Sequence, residues 1–166
     1  MTESSSMPPL QPKQALLELT LLNAESSNVE FDDAMIASLK RGIPPELLTR
    51  LSELWTQTKV VAGEVIAVGK IIVGKIIEFL LANPKITLGI AVGAVLSALV
   101  AGIPFIGPML APLATTISML YGAGVGAAMQ KGDYSGSPVS AAIELAHKFF
   151  DLLIRVFDGV SAYWVS

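Results

Sequence analysis

Few residues in this chain are equipped for covalent chemistry, and those few are badly placed for it. There is no cysteine, which excludes disulfides, thiolate metal sites and thiol catalysis. The single histidine, His147, shares a stripe with Glu144, Lys148, Asp151, Arg155 and Asp158, at spacings of three and four. That is the solvated face of an amphipathic helix. Asp32 and Asp33 are adjacent, so they project from different parts of a helix surface and read as first-turn acids. Gly122-Ala-Gly-Val-Gly superficially matches a dinucleotide-binding loop, but it lacks the preceding strand and the required spacing. With no metal-ligand spacing and no nucleophile elbow, the sequence predicts a non-enzymatic protein that needs no cofactor.

The charges that could do physical work are fewer still. On a helical wheel, Glu64, Lys70, Lys75 and Glu78 fall within about 140°, and Gly63, Ala67 and Gly74 share their sector. Such a helix, Gly63 to Leu81, would lie in a membrane interface with its stripe solvated and Lys75 paired to Glu78. Its alternative is to stand upright and line a water-filled lumen.

Those charges flank a long uncharged interval. Apolar residues make up 52% of the 166 and charged residues 15%, against about 25% charged in soluble domains; mean hydropathy is +0.63. From Ile86 to Gln130 no residue is charged. The interval divides at "PFIGP". Ile86–Ile103 would give about 27 Å of helix and Met109–Met129 about 31 Å, close to the ~30 Å of bilayer hydrocarbon. Pro104 disfavours helical geometry at Ile103. Phe105 and Ile106 then form the turn, Gly107 is free to go left-handed, and Pro108 begins the return. Pro112 falls in the first turn of the second helix.

The rest of the chain reads as helix. Residues 1–14 are expected to be a disordered lead. A short helix, Lys13–Asn23, and a better one, Ser26–Gly42 with Ser and Asn as caps, fill most of 15–56. A third starts at Pro45, with Leu47, Leu51, Leu54 and Trp55 on its apolar face as a docking surface for a cytoplasmic protein. The pattern continues through 57–82 as one long helix or two joined near Gly63. Asn83 would cap the next helix, and 83–131 is the hairpin. Pro138 opens an amphipathic helix over 138–166, with Ile143, Ala146, Phe150, Leu153 and Phe157 opposite its charges.

Small residues mark faces for close helix packing: Gly89, Gly93, Ser97 and Ala101 on the first hairpin helix, Gly122 and Gly126 on the second. In lipid such faces are a main source of association. Lys70, Lys75, Lys85, Lys131 and Lys148 lie on the flanks and none at the turn, which places both termini in the cytoplasm; Tyr134, Tyr163 and Trp164 suit the interface. A net charge of -3 without a basic run excludes nucleic acid.

The expectation is therefore an all-α fold with a membrane-inserting two-helix apolar hairpin flanked by amphipathic helices. The partners are a lipid bilayer and further copies of the chain. Permeabilising or conducting is the most concrete activity, and a non-conducting anchor that docks a cytoplasmic partner is the alternative. The plan of amphipathic helices around an uncharged hairpin resembles the pore-forming domains of colicin-type toxins in architecture, with no motif that carries residues across. That resemblance implies a third form, secreted and soluble, which hides the hairpin until it meets a target membrane.

Overall fold

Proline and glycine set most of the helix boundaries. The computed structural model describes residues 10–121 and 138–164. Pro12 opens α1 (Pro12–Ser26), and Pro45 opens α3 (Pro45–Trp55), each at a position where a missing N–H costs nothing. Between them, α2 (Phe31–Arg41) has Asp32 and Asp33 in its first turn and Lys40 and Arg41 in its last, matching the helix dipole at both ends. Gly42 terminates it with φ 94°, a left-handed cap that glycine adopts without steric penalty.

The expected helix from Pro45 to Ala82 is interrupted. Lys59–Val61 (β1) and Glu64–Ile66 (β2) form an antiparallel hairpin, with Val60 opposite Val65. Ala62 (φ 51°) and Gly63 (φ 85°) make its turn. Positive φ at both central positions is the geometry that follows a strand's own twist. The β-branched residues on either side of Ala62-Gly63 carried this signal, but the helical period of the flanking segments masked it. Alanine is strained at positive φ. Ala62→Asn is therefore expected to stabilise the fold by about 0.5–1 kcal/mol, read as a higher midpoint in urea; an unchanged or lower midpoint would refute the turn assignment.

Among the described residues, five further helices follow: α4 (Val68–Ala82), α5 (Leu88–Gly102), α6 (Gly107–Tyr121), α7 (Pro138–Phe149) and α8 (Asp151–Gly159), with single 3-10 turns at Pro104–Ile106 and Ser161–Tyr163. α5 is the centre. It packs against α4, α6, α7 and α8, and Ala91, Val92, Ala94, Val95, Leu96, Ala98 and Leu99 are buried. A helix apolar all round must be enclosed in this way. Phe79 of α4 meets Phe149 and Phe150 at 5.4 and 5.9 Å between ring centres. α1 closes the bundle by packing on α4 and α8.

Several expected boundaries move. Pro12, placed in the disordered lead, opens α1, and Lys13 and Gln14, where the lead and the first helix overlapped, are helical; residues 1–9 lie outside the described residues. Ser26 ends α1 instead of capping α2, whose N-cap is Glu30 with no side-chain bond. Asn83 does not cap α5: it follows α4 and donates from Nδ2 to the Phe79 carbonyl at 3.0 Å. The final helix starts at Pro138 as expected but tightens at Phe150, dividing α7 from α8. Its apolar side is buried as read: Ile143, Ala146, Phe150, Leu153 and Phe157 all lie in the core.

Candidate functional site

The hairpin is the natural starting point. Ile103 leaves the helical region (φ -132°, ψ 76°), as a residue before proline should. Pro104, Phe105 and Ile106 form a 3-10 turn. Gly107 and Pro108 already belong to α6. Gly107 is not left-handed, since among the described glycines only Gly42 and Gly63 have positive φ. Pro112 lies inside α6 rather than in its first turn. The carbonyl it cannot bond is that of Pro108, and both residues are exposed, so water can take the vacant acceptor.

Phe105 is held from outside the hairpin. Its ring lies 4.7 Å from that of Trp164, which also meets Phe157 at 5.9 Å and forms an isolated bridge with Val61. Trp164, expected at a lipid interface, instead joins the chain's last described residue to the hairpin turn and to β1.

α5 and α6 have 15 residues each, about 22 Å of helix. Among the described residues, no helix is long and apolar enough to cross a membrane. The expected spanning lengths, Ile86–Ile103 and Met109–Met129, are thus not reached within them; 122–137 lie outside.

On the packing face, Gly89 permits the closest approach. A Cβ there would come within 2.7 Å of the Tyr121 ring, so glycine lets α5 lie directly against the end of α6. Gly93 is buried and Ser97 half-buried, but Ala101 is exposed, so the stripe turns out of the core along its length. Gly122 and Gly126 are outside the described residues. Burial pushes the Tyr121 phenol above its ordinary range, the Arg41 guanidinium opposes that shift, and Glu46 adds to it.

The four charges expected on one stripe separate. Glu64 is on β2, exposed and off the helix. Lys70, Lys75 and Glu78 stay together on α4 and border a groove between α4 and the end of α1. Lys75 and Glu78 pair at 3.6 Å, as their spacing predicts. The Lys70 ammonium sits 5.6 Å from the centre of the Trp55 ring.

The proposed docking face is occupied by the chain itself. Leu47, Leu51 and Leu54 are buried in the core, where α3 packs on α4 and α6, and Trp55 stacks edge-on against Phe31 at 5.6 Å. Periodicity identified an apolar face correctly but could not say what covers it.

Sequence reasoning missed Arg41, read only as a last-turn cation. Its Nε donates to the Leu80 carbonyl at 2.9 Å, and its Nη2 to the carbonyls of Ile86 at 2.6 Å and Asn83 at 3.3 Å. One guanidinium thus ties α2 to the end of α4 and to the chain entering α5. Nothing local signals these partners, which are 39 to 45 residues away. His147 is exposed, and among the described residues no group of His, Asp and Glu could hold a metal ion.

Together these elements define an all-helical protein built around a largely buried, uncharged helix whose exit is tied at both ends. Comparison with known proteins finds no matching family model, no similar curated protein and no similar solved structure.

Proposed function

We propose that this is a non-enzymatic, membrane-active protein, and that the α5–α6 hairpin is the element it delivers to lipid. The observation carrying this reading is the outer face of α6. Pro108, Ala111, Pro112, Ala114, Thr115, Ser118 and Met119 are all exposed, Met119 to 80%, and none is charged. A water-facing helix ordinarily carries charges there. An apolar core explains α5 but not this face. Contact with hydrocarbon or headgroups does.

In the bundle, α4, α7 and α8 sheathe α5. Spanning a bilayer would require the hairpin helices to lengthen away from the turn, and the sequence is uncharged from Ile86 to Gln130, with Lys85 and Lys131 the first charges met on either side. Once released, the surfaces of α5 that α4, α7 and α8 had covered would be free to associate with other copies, while Gly89 stays against Tyr121 within the hairpin. Permeabilisation is the activity assigned.

A reversible lock tests this. A Cβ at Gly102 would meet the side-chain carbons of Ile154 at 2.7–3.0 Å. The pair Gly102→Cys and Ile154→Cys removes those carbons and places two thiols within disulfide reach, in a chain with no other cysteine. Added to dye-loaded liposomes, the reduced variant is expected to release dye in step with co-sedimentation. The oxidised variant should bind yet release at least tenfold more slowly. Equal release from both forms, or neither binding nor release from the reduced form, sinks the proposal.

A further inference from the structure

Gly74 has no packing reason to be glycine. At Gly69, Gly89, Gly102 and Gly159 a Cβ would collide with a neighbour, at Gly42 and Gly63 the backbone has positive φ, and Gly107, which also has open space, stands at the first position of α6 rather than inside a helix. Gly74 sits in the middle of α4, where glycine weakens a helix, yet nothing lies within 4 Å of where its Cβ would be. The space it leaves open belongs to a groove of about 320 Å³ between α4 and the end of α1, at the small end of the range for ligand sites.

The walls of the groove are apolar, from Leu22, Ile71 and Ile77, and its rim carries both signs of charge, Lys70 and Lys75 with Glu25 and Glu78. Lys75 and Glu78 are 3.6 Å apart, too far for a hydrogen bond, so each retains capacity for another partner. Two exposed apolar residues, Val29 and Leu81, continue the apolar wall out to the surface.

We propose that this groove binds the head and one chain of an amphiphile with a zwitterionic phosphate head. Its phosphate would meet the lysines and its cationic group the glutamates, with the first methylenes over Gly74 and the tail leaving past Leu81. An anionic head would leave the two glutamates unanswered, and an uncharged head all four charges. The proposal goes beyond the hairpin reading and does not depend on it, because the site is complete while the bundle is closed.

Titration of the full-length protein with dodecylphosphocholine, below the concentration at which it forms micelles, should show saturable one-to-one binding by calorimetry. Gly74→Leu projects a side chain into the groove from a position where nothing lies within 4 Å of the Cβ, and should weaken binding at least tenfold while circular dichroism and the thermal midpoint are kept or improved. The double change Lys70→Gln/Lys75→Gln, at two half-buried rim positions outside the core, should weaken binding to a similar degree, which keeps the test decisive should Gly74→Leu misfold. Dodecyl maltoside, with the same tail and an uncharged head, should bind at least tenfold more weakly.

Non-saturable binding, or full affinity in a folded Gly74→Leu protein, overturns the site; equal affinity for the maltoside overturns the head. Phosphatidylcholine vesicles separate the two sources. Co-sedimentation lost in Gly74→Leu assigns the head to a bilayer lipid, and co-sedimentation kept while monomer binding is lost assigns it to a free amphiphile. Dye release is not read here, so failure of this site and failure of the hairpin proposal are distinguishable.

Discussion

Gly69→Ala is expected to cost about 3 kcal/mol or more and to leave the protein largely unable to fold. A Cβ at this position would overlap the backbone carbonyl oxygen of Leu54, with the Leu54 carbonyl carbon at 2.7 Å and the Gln57 nitrogen at 3.1 Å. Overpacking against side chains typically costs 1–3 kcal/mol because rotamers can yield. Here the obstacle is main chain at the end of α3, held in turn because the Gly69 N–H donates to the Gln57 carbonyl at 3.0 Å. Relief would require α3 and α4 to part, and their contact buries Leu51 and Leu54. Gly74→Ala, on the same helix with open space above it, should instead stabilise by about 1 kcal/mol. Urea denaturation of both variants reads the contrast. Similar shifts, or a loss below about 1 kcal/mol at Gly69, would mean that α3 does not cross α4 there.

The second large effect is assigned to Arg41. Arg41→Met keeps the aliphatic stem and removes donors from three carbonyls, those of Leu80, Asn83 and Ile86. Hydrogen bonds to a charged group contribute about 1.5–3 kcal/mol net and are not additive, so a loss of about 3 kcal/mol is expected. For a chain of this size that lowers the thermal midpoint by about 6–12 °C. Arg41→Lys should recover no more than about half, because a single ammonium cannot match the fork that spans the three carbonyls. If the hairpin proposal holds, the same variant should also release liposome dye faster, since it unties the entry to α5. A midpoint within about 2 °C of the parent would show that these bonds exchange freely with water.

The contrast between these two sites explains what the sequence made legible. Helix starts at Pro45 and Pro138, the stop at Gly42 and the apolar side of α7 and α8 follow from local chemistry and were readable. So was the pairing of Lys75 with Glu78 at 3.6 Å, three residues apart. What stayed hidden depends on partners distant in sequence. The face of Leu47, Leu51 and Leu54 was visible as apolar, but its cover, α4 and α6, was not. Arg41 looked like a dipole partner because its acceptors lie beyond α3 and the β-hairpin. That hairpin itself was lost between two strong helical periods; three residues per strand are too few for alternation to register. The uncharged interval was plain, yet its consequence was not, because an enclosed core helix and a lipid-facing helix obey the same composition rule.

The packing of α1 against α8 has a further consequence. A Cβ at Gly159 would lie 2.5 Å from that of Ala15 and 3.2 Å from the Leu10 carbonyl oxygen, so the first and last described helices are clasped together. A bundle closed in this manner cannot shed its cover by fraying from one end, the route by which marginal proteins usually open. Exposing α5 must break the clasp, the Arg41 ties and the Trp164 contact in one cooperative event. Any release of the hairpin would then be thresholded, with molecules either shut or fully open and few in between.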